Sequence, residues 1–391
     1  MNKELLYTSL LDWYDRNKRI LPWRETCDPY KIWISEIILQ QTRVAQGMEY
    51  YLRLVDRFPD VESLAAAEED EVLLYWQGLG YYSRARNLHK AAQLMKNHEI
   101  FHQAMRLLGD KARGEKDGEE AIRREGEEAR GEEIFAALKS MPGVGDYTAG
   151  AIASFAFNLP YPALDGNVYR VLARLYDCEI AFDTTQGKKH FRKLAEELLD
   201  IERPRLFNSA IMELGALHCV PTAPDCSTCP LNTWCKALAN NTVELLPVRK
   251  PRPKVRDRYL EYTIYITPEK TTLIHQRKGN DIWKHLWEFV ETTSVDSLKN
   301  DNIDNLRPNQ HPRAPKGDNS TQNYTTVHHS TQPQAINLTH VLSHQKLHAR
   351  FVIKNVSELP EIPDTLVVKL SDLDNYAFSR LTLKAMEKLL Y

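Results

Sequence analysis

No stretch of about eighteen apolar residues occurs in this 391-residue chain, so a membrane-spanning helix is excluded. The opening residues, Met1-Asn2-Lys3-Glu4-Leu5, carry neither the basic segment nor the apolar stretch of a secretory leader. A cytoplasmic location is therefore expected, at the nucleoid if the source is bacterial. Excess charge is also missing: 51 Lys and Arg stand against 53 Asp and Glu, a net of −2. Taken alone, that balance argues against a nucleic-acid partner. Cysteine is scarce at six residues, and without a leader those six are not expected to form disulfides. What the chain does have is apolar matter, 42% hydrophobic against 27% charged, enough to bury real cores. Its length predicts two or three domains.

The charge is unevenly spread. Over residues 109–133 ten acids and six bases give −4, with five glycines and Ile122 as the one apolar residue larger than alanine. Such a segment is expected to stay solvated, because it cannot bury enough surface to offset its ordering entropy. Without it the rest of the chain sums to +2. Residues 249–258 hold six bases, one acid and two prolines, and read as an extended basic connector. A polar tract over 300–334, rich in Asn, Pro, Thr, Gln and His, reads as a long loop. The expected layout is a first domain over 1–245, a linker over 246–257 and a second domain over 258–391. The first is expected to be all-α, since apolar residues recur at three- and four-residue steps over 3–18, 33–58, 83–97, 149–157, 166–176, 187–199 and 206–217. The second is expected to be α+β, with strand-like alternation over 260–266, 272–275 and 349–353 and a closing helix over 379–390.

Four cysteines, Cys219, Cys226, Cys229 and Cys235, follow a C-x6-C-x2-C-x5-C spacing. Thiols so grouped in a chain without a leader point to a metal. Zinc ribbons pair two short knuckles across a longer gap, whereas three short gaps in one loop suit a structural [4Fe-4S] cluster. Cys27 and Cys178 stand apart and read as packing residues.

Met141-Pro142-Gly143-Val144-Gly145-Asp146-Tyr147-Thr148 sets two glycines one residue apart between helices. Gly143 and Gly145 would let backbone N–H groups approach a phosphate, a contact that positions a duplex without reading it. A plain helix turn is the equal alternative from that motif alone. Farther on, Asp165 stands where a helix N-cap belongs, a role that can coexist with chemistry. Glu36 lies in Trp33-Ile34-Ser35-Glu36-Ile37-Ile38-Leu39-Gln40-Gln41-Thr42 among large apolar neighbours. If buried there its acid form is favoured, as a general acid requires; if on the surface it is an ordinary helix residue. One protonated and one ionised carboxyl form the pair used to cleave glycosidic bonds.

Together the hairpin, the aspartate beyond it and the cysteine loop resemble the endonuclease III superfamily of helix–hairpin–helix DNA glycosylases. Within it the Glu36 segment, Gly78-Leu79-Gly80-Tyr81-Tyr82-Ser83-Arg84-Ala85-Arg86-Asn87 and the second domain are similar to the adenine DNA glycosylases. The resemblance spans most of the chain outside 109–133 and 300–334. It implies an all-α helix–hairpin–helix glycosylase domain with an iron–sulfur loop, followed by an α+β Nudix (MutT-like) domain. It implies that Glu36 protonates the adenine leaving group at N7. Asp165 would stabilise the oxocarbenium-like sugar or attack it transiently, with Asn167 helping to hold sugar and phosphate. Bifunctional relatives carry a lysine where this chain has Tyr147. A phenol forms no imine, so base removal without strand cleavage is implied, with Tyr147 as an active-site contact.

Adenine must leave the stack to be attacked. The resemblance makes Gln41, Tyr81 and Tyr82 wedges, with Thr42 and Leu79 near the opposite base. Trp23, Arg24 and Leu39 would line the adenine pocket. Ser209 stands where relatives carry Gln or Glu; its reach is shorter, so a bridging water would substitute. In the second domain Trp283-Lys284-His285-Leu286-Trp287-Glu288-Phe289 matches a tryptophan-rich strand region, and the pyrophosphohydrolase pattern G-x5-E-x7-R-E-x2-E-E is missing. The domain is therefore expected to recognise the lesion. His340-Val341-Leu342-Ser343-His344 resembles the lesion-sensing loop H-x-F/W-S-H with Leu342 replacing the aromatic, which leaves Ser343 and His344 as DNA contacts. The histidines between 328 and 348 read as scattered loop residues. The expected partner is double-stranded DNA holding adenine opposite 8-oxoguanine or guanine, bound by a monomer with no membrane involved. Two other readings stay open. A pyrimidine glycosylase is opposed by Tyr147 and the second domain, and a non-catalytic lesion binder by retention of Glu36 and Asp165.

Overall fold

The computed structural model describes residues 2–95, 125–251, 254–293 and 334–390. They fall into two compact units, Met1–Arg252 and Pro253–Tyr391.

The first unit is helical throughout: α1 (Lys3–Asn17), α2 (Pro29–Leu39), α3 (Val44–Arg57), α4 (Val61–Ala66), α5 (Glu69–Tyr75), α6 (Ser83–Met95), α7 (Glu125–Ser140), α8 (Asp146–Phe157), α9 (Gly166–Tyr176), α10 (Thr185–Leu198), α11 (Pro204–Leu217) and the short α12 (Lys236–Ala239). Local chemistry sets their ends. Asp28 accepts from the Tyr30 and Lys31 N–H groups at 2.9 and 3.4 Å, and Pro29 opens α2 where its missing N–H is no loss. Left-handed Asn158 and Asp177, at φ 53° and 56°, stop α8 and α9. Helix α2 is apolar around nearly its whole circumference and buries every residue from Pro29 to Ile38 except Lys31. It packs on α8, whose Gly150 lets the helix approach the Pro162 carbonyl, 2.6 Å from where a Cβ would stand. A separate core joins α1, α9, α10 and α11 through Leu6, Leu10, Leu172, Phe191, Phe207 and Leu214.

Three expectations change here. The single helix expected over 33–58 is two, because Gln41 adopts φ 59° and the chain turns before α3. The solvated segment expected over 109–133 is helical from Glu125 onward, since α7 begins there. Residues 96–124 lie outside the described residues, as do 294–333 with His328 and His329. The linker expected over 246–257 is largely absorbed by folded structure. Leu246 is buried in the α1–α11 core, and Val248 accepts from the Phe182 N–H at 3.3 Å. Lys250 donates its N–H to Asp183 at 3.0 Å, and the Arg249 guanidinium lies 5.1 Å over the Phe182 ring. At the far end, Arg256 to Arg258 already belong to a strand.

In the second unit the described strands are β1 (Arg256–Ile266), β2 (Thr271–Gln276), β3 (Trp287–Thr293), β4 (Ala335–Val341), β5 (Gln345–Asn355) and β6 (Thr365–Lys369). They form one sheet in the order β4-β5-β1-β3-β2-β6. Strand β1 runs parallel to β5, with Leu260 beside Ala349, and the other named pairs are antiparallel. Helix α13 (Arg380–Leu390) packs Leu381, Ala385 and Met386 into a core with Ile264, Phe289 and Phe351. This mixed sheet with its helix is the α+β fold that the sequence predicts.

Candidate active site

Because α2 buries nearly every residue, Glu36 is carried into the interior and is only 1% exposed. Its Oε2 accepts a 2.6 Å hydrogen bond from the Tyr147 hydroxyl. Its Oε1 has no partner, and 4.0 Å away stands Arg24 Nη1, equally buried and equally unpartnered. Burial pushes the Glu36 carboxyl above its ordinary range; Arg24 and Tyr147 pull it back and the nearby Asp165 pushes it up again. The Tyr147 phenol is likewise driven well above its ordinary value by burial and by the two carboxyls. With Oε2 already accepting, a proton on Glu36 belongs on Oε1.

Asp165 caps α9, as its position suggests: Oδ1 accepts from the Val168 N–H at 2.8 Å. Oδ2 accepts from Asn167 Nδ2 at 2.8 Å. Burial raises its carboxyl, while Val168 and Asn167 oppose the rise. Both side-chain oxygens thus receive hydrogen bonds, which favour the ionised form against the larger effect of burial. Asn167 is fixed in turn: its Oδ1 accepts from Arg170 Nη2 at 2.9 Å. Arg170 also donates to the carbonyls of Gly215 at 2.6 Å and Cys219 at 2.7 Å. Gly215 is needed for this approach, since a Cβ there would stand 2.7 Å from Asn167 Cβ.

The Arg24 guanidinium stacks 3.8 Å over Phe155 and reaches Met212 Sδ at 3.8 Å. The segment between α1 and α2 that bears Trp23 and Arg24 is pinned to α11 twice. Arg19 donates its N–H and both arms of its guanidinium to Glu213 at 2.9, 2.6 and 2.7 Å. Arg205 donates to the carbonyls of Arg24 and Thr26 at 3.2 and 2.7 Å. Trp23 is buried edge-on against Tyr51, and its Nε1 has no partner. Ser209 is buried on α11, and Leu39 is half-buried at the end of α2.

Between α7 and α8 the two hairpin glycines differ. Gly143 sits at φ 81°, and a Cβ on it would meet Asn87 Cβ at 2.9 Å. Gly145 is extended and exposed, with open space where a Cβ would go. Gln40 ties this hairpin to α2, donating to Thr148 Oγ1 at 3.1 Å. Of the expected wedge residues, Gln41 and Tyr81 are exposed, and both are left-handed, at φ 59° and 50°. Each such residue costs about 1–2 kcal/mol relative to a right-handed one. Tyr82 and Leu79 depart from expectation: both are buried. The Tyr82 hydroxyl accepts from the Gly78 N–H at 3.1 Å, so it shapes the loop from within. Thr42 is half-buried, its Oγ1 3.4 Å from Arg84.

The four cysteines are unpaired thiols. Burial raises Cys226 and Cys235, and raises Cys229 to about 12, while the charge of Cys219 pushes up all three, so the four are mutual neighbours. Cys235 Sγ donates to the Arg174 carbonyl at 3.5 Å. Arg174, buried, donates to Cys219 Sγ at 3.3 Å and to the carbonyls of Val220, Pro221, Val243 and Leu246. Among the described residues no three His, Cys, Asp or Glu side chains are grouped to hold a single metal ion. In the second unit Leu342 is partly buried and packs against the core. Ser343 and His344 are exposed at the β4–β5 turn. Trp283, at φ 59°, stands 6.2 Å from the His340 ring.

Two family descriptions match the chain: HhH-GPD superfamily base excision DNA repair protein over residues 34–200, and NUDIX domain over residues 261–388. The adenine DNA glycosylase of Buchnera aphidicola subsp. Baizongia pistaciae is 35% identical over 300 residues, covering 74% of this chain and 75% of that protein. That of Schizosaccharomyces pombe is 38% identical over 342 residues, covering 72% and 68%. That of Mus musculus is 38% identical over 258 residues, covering 64% and 45%. The chain belongs to the adenine DNA glycosylase family.

As an adenine-specific DNA glycosylase of base excision repair, it carries a helix–hairpin–helix domain followed by a NUDIX domain. Membership of this family also suggests a [4Fe-4S] cluster. The cysteine loop fits one. Its donors are four mutually close soft thiols, and burial without metal disfavours their thiolate form. Sequence reasoning missed several residues that organise the glycosylase site: Phe155, Met212, the Arg19–Glu213 pair, Arg170 and Arg174. The two arginines left a signal, since they stand four residues apart in a helix whose neighbouring Val168, Val171, Leu172 and Leu175 are apolar.

Proposed function

We propose that the enzyme excises adenine paired with 8-oxoguanine or guanine, hydrolysing the N-glycosidic bond without cutting the strand. The observation that carries this reading is the Glu36 environment: a buried carboxyl, driven toward its acid form, with one oxygen accepting from Tyr147 and the other free beside Arg24. A flipped adenine supplies what both unpartnered groups lack, an acceptor among its ring nitrogens. Glu36 gives its Oε1 proton to N7 as the bond to C1′ breaks and its electrons pass to the base. Asp165 holds its carboxylate toward the cationic sugar, or attaches to it transiently, and water adds at C1′ with loss of a proton. Asn167 keeps Asp165 oriented. Tyr147 cannot form an imine, which makes the enzyme monofunctional. Cys219, Cys226, Cys229 and Cys235 would hold the [4Fe-4S] cluster, which when bound cross-links their loop. Ser343 and His344, exposed on the second unit, supply the contacts to 8-oxoguanine.

Three duplexes test the reading: adenine opposite 8-oxoguanine, adenine opposite guanine, and thymine glycol opposite adenine. Alkali-labile product from the first two, lost in Glu36→Gln and Asp165→Asn, is expected. Product from thymine glycol alone would replace it with a pyrimidine glycosylase. Strand cleavage without alkali would remove the monofunctional assignment.

A further inference from the structure

Gln41 and Tyr81 face solvent in backbone conformations that side chains disfavour, φ 59° and 50°, with Tyr81 51% exposed. The peptide carbonyl just before each of them is bound by one and the same guanidinium. Arg84 Nη1 donates to Gln40 O at 2.5 Å, and also meets Ile38 O at 2.7 Å and Ile37 O at 3.0 Å. Arg84 Nη2 donates to Gly80 O at 3.0 Å. The same group lies 5.6 Å from the Tyr81 ring and 5.1 Å from the Trp76 ring. Arg84 is 7% exposed, and among the described residues no carboxylate pairs with it. Burial holds its guanidinium down to about 10. A buried cation given over to carbonyls is costly to keep, and two left-handed residues persist only where their surroundings over-determine them. One residue accounts for both.

The geometry points to Arg84 as a positioning residue that locks the Gln41 and Tyr81 loops into one rigid wedge, so that the two side chains enter the duplex together. This rests on the reading of Gln41 and Tyr81 as the residues that fill the gap left by adenine. A lysine at this position keeps the charge but loses the fork that spans both carbonyls. Trp76 offers a gentler second perturbation. Its Nε1 donates to Gly80 O at 3.1 Å, so Trp76→Phe loosens the Tyr81 loop and leaves the Gln40 contact in place.

The test follows extrusion by stopped-flow fluorescence of 2-aminopurine placed next to adenine opposite 8-oxoguanine, with Gln41→Ala and Tyr81→Ala made singly and together. In the parent enzyme the two losses are expected to be strongly non-additive, the double variant being no slower than the worse single one. In Arg84→Lys, extrusion is expected to slow about tenfold and the remaining losses to become additive. A purely structural arginine would lower the melting temperature without changing that coupling. Additive losses in the parent, or unchanged coupling in a folded Arg84→Lys, overturn the proposal. If Arg84→Lys does not fold, Trp76→Phe decides: reduced coupling supports the proposal, and parental coupling refutes it. If neither Gln41→Ala nor Tyr81→Ala alters extrusion in the parent, the wedge reading fails, a result distinct from loss of coupling.

Discussion

Alanine at Gly143 and alanine at Gly145 should separate a fold requirement from a ligand requirement within one hairpin. At Gly143 the left-handed φ of 81° would cost an alanine about 1–2 kcal/mol. The new Cβ, 2.9 Å from Asn87 Cβ, adds overpacking of about 1–3 kcal/mol. Reduced freedom of the unfolded chain returns about 0.4–1 kcal/mol. The net loss is about 1–4.6 kcal/mol, which for a unit of this size lowers the melting temperature by about 2–18 °C. Gly145 has φ −96° and ψ −178°, extended backbone open to any residue, with nothing near its missing Cβ. Alanine there should leave the melting temperature unchanged or slightly raised. If the Gly145 N–H meets a phosphate, however, the methyl group keeps the duplex away. Loss of one charge-assisted hydrogen bond, about 1.5–3 kcal/mol, weakens DNA about 10- to 100-fold. Thermal unfolding and a fluorescence titration against a duplex, repeated over a range of salt, measure both quantities. Parental melting of Gly143→Ala would refute the strain argument. Parental affinity of Gly145→Ala would refute the phosphate contact.

Glu36→Gln should lower single-turnover cleavage at least 100-fold, as expected for loss of a general acid. The same variant should melt higher than the parent at neutral pH. Glu36 is raised in the folded state, so the stability it lends is complete below its unfolded value and lost as pH rises through the folded one. The advantage of glutamine should therefore shrink on acidification, and a pH-independent difference would contradict the burial argument. Tyr147→Phe removes a hydrogen bond that pulls Glu36 down, so the alkaline limb of the cleavage profile should move to higher pH. A limb that moves lower or stays fixed would show that the phenol does not tune the acid. Protein purified anaerobically should absorb in the visible through thiolate-to-iron bands. Zinc by elemental analysis, without those bands, would rule out the iron–sulfur assignment.

The fold class was legible because periodicity changes sharply between the two units and because α2, α8 and α9 carry strong local signals at their ends. Glu36 was ambiguous in sequence; only the burial of nearly the whole of α2 converts a helix glutamate into an interior acid. The break at Gln41 falls in the polar run Gln40-Gln41-Thr42-Arg43, which holds no Gly or Pro to mark a turn, and the carbonyl before it is held by Arg84 from α6. The Tyr81-Tyr82 pair could not be divided by composition, since a single left-handed residue turns one ring outward and the other inward. The partners of Arg19, Arg170 and Arg174, a distant glutamate and several carbonyls, are set by tertiary packing, which residue spacing alone does not show.

The row of hydrogen bonds from α11 and the cysteine loop to Asp165 has a sense of travel. Arg170 can only donate, and it claims the carbonyl end of the Asn167 amide. Asn167 must therefore present its NH2 group to residue 165 and cannot turn over without abandoning Arg170. An acceptor is demanded at that point, and the Val168 N–H demands another on the second oxygen. An amide at 165 could satisfy only one of these claims, whereas an ionised carboxyl satisfies both. The scaffold thus admits a carboxyl at 165 and refuses its amide before any DNA arrives, and that choice is made by the orientation of a neighbouring amide.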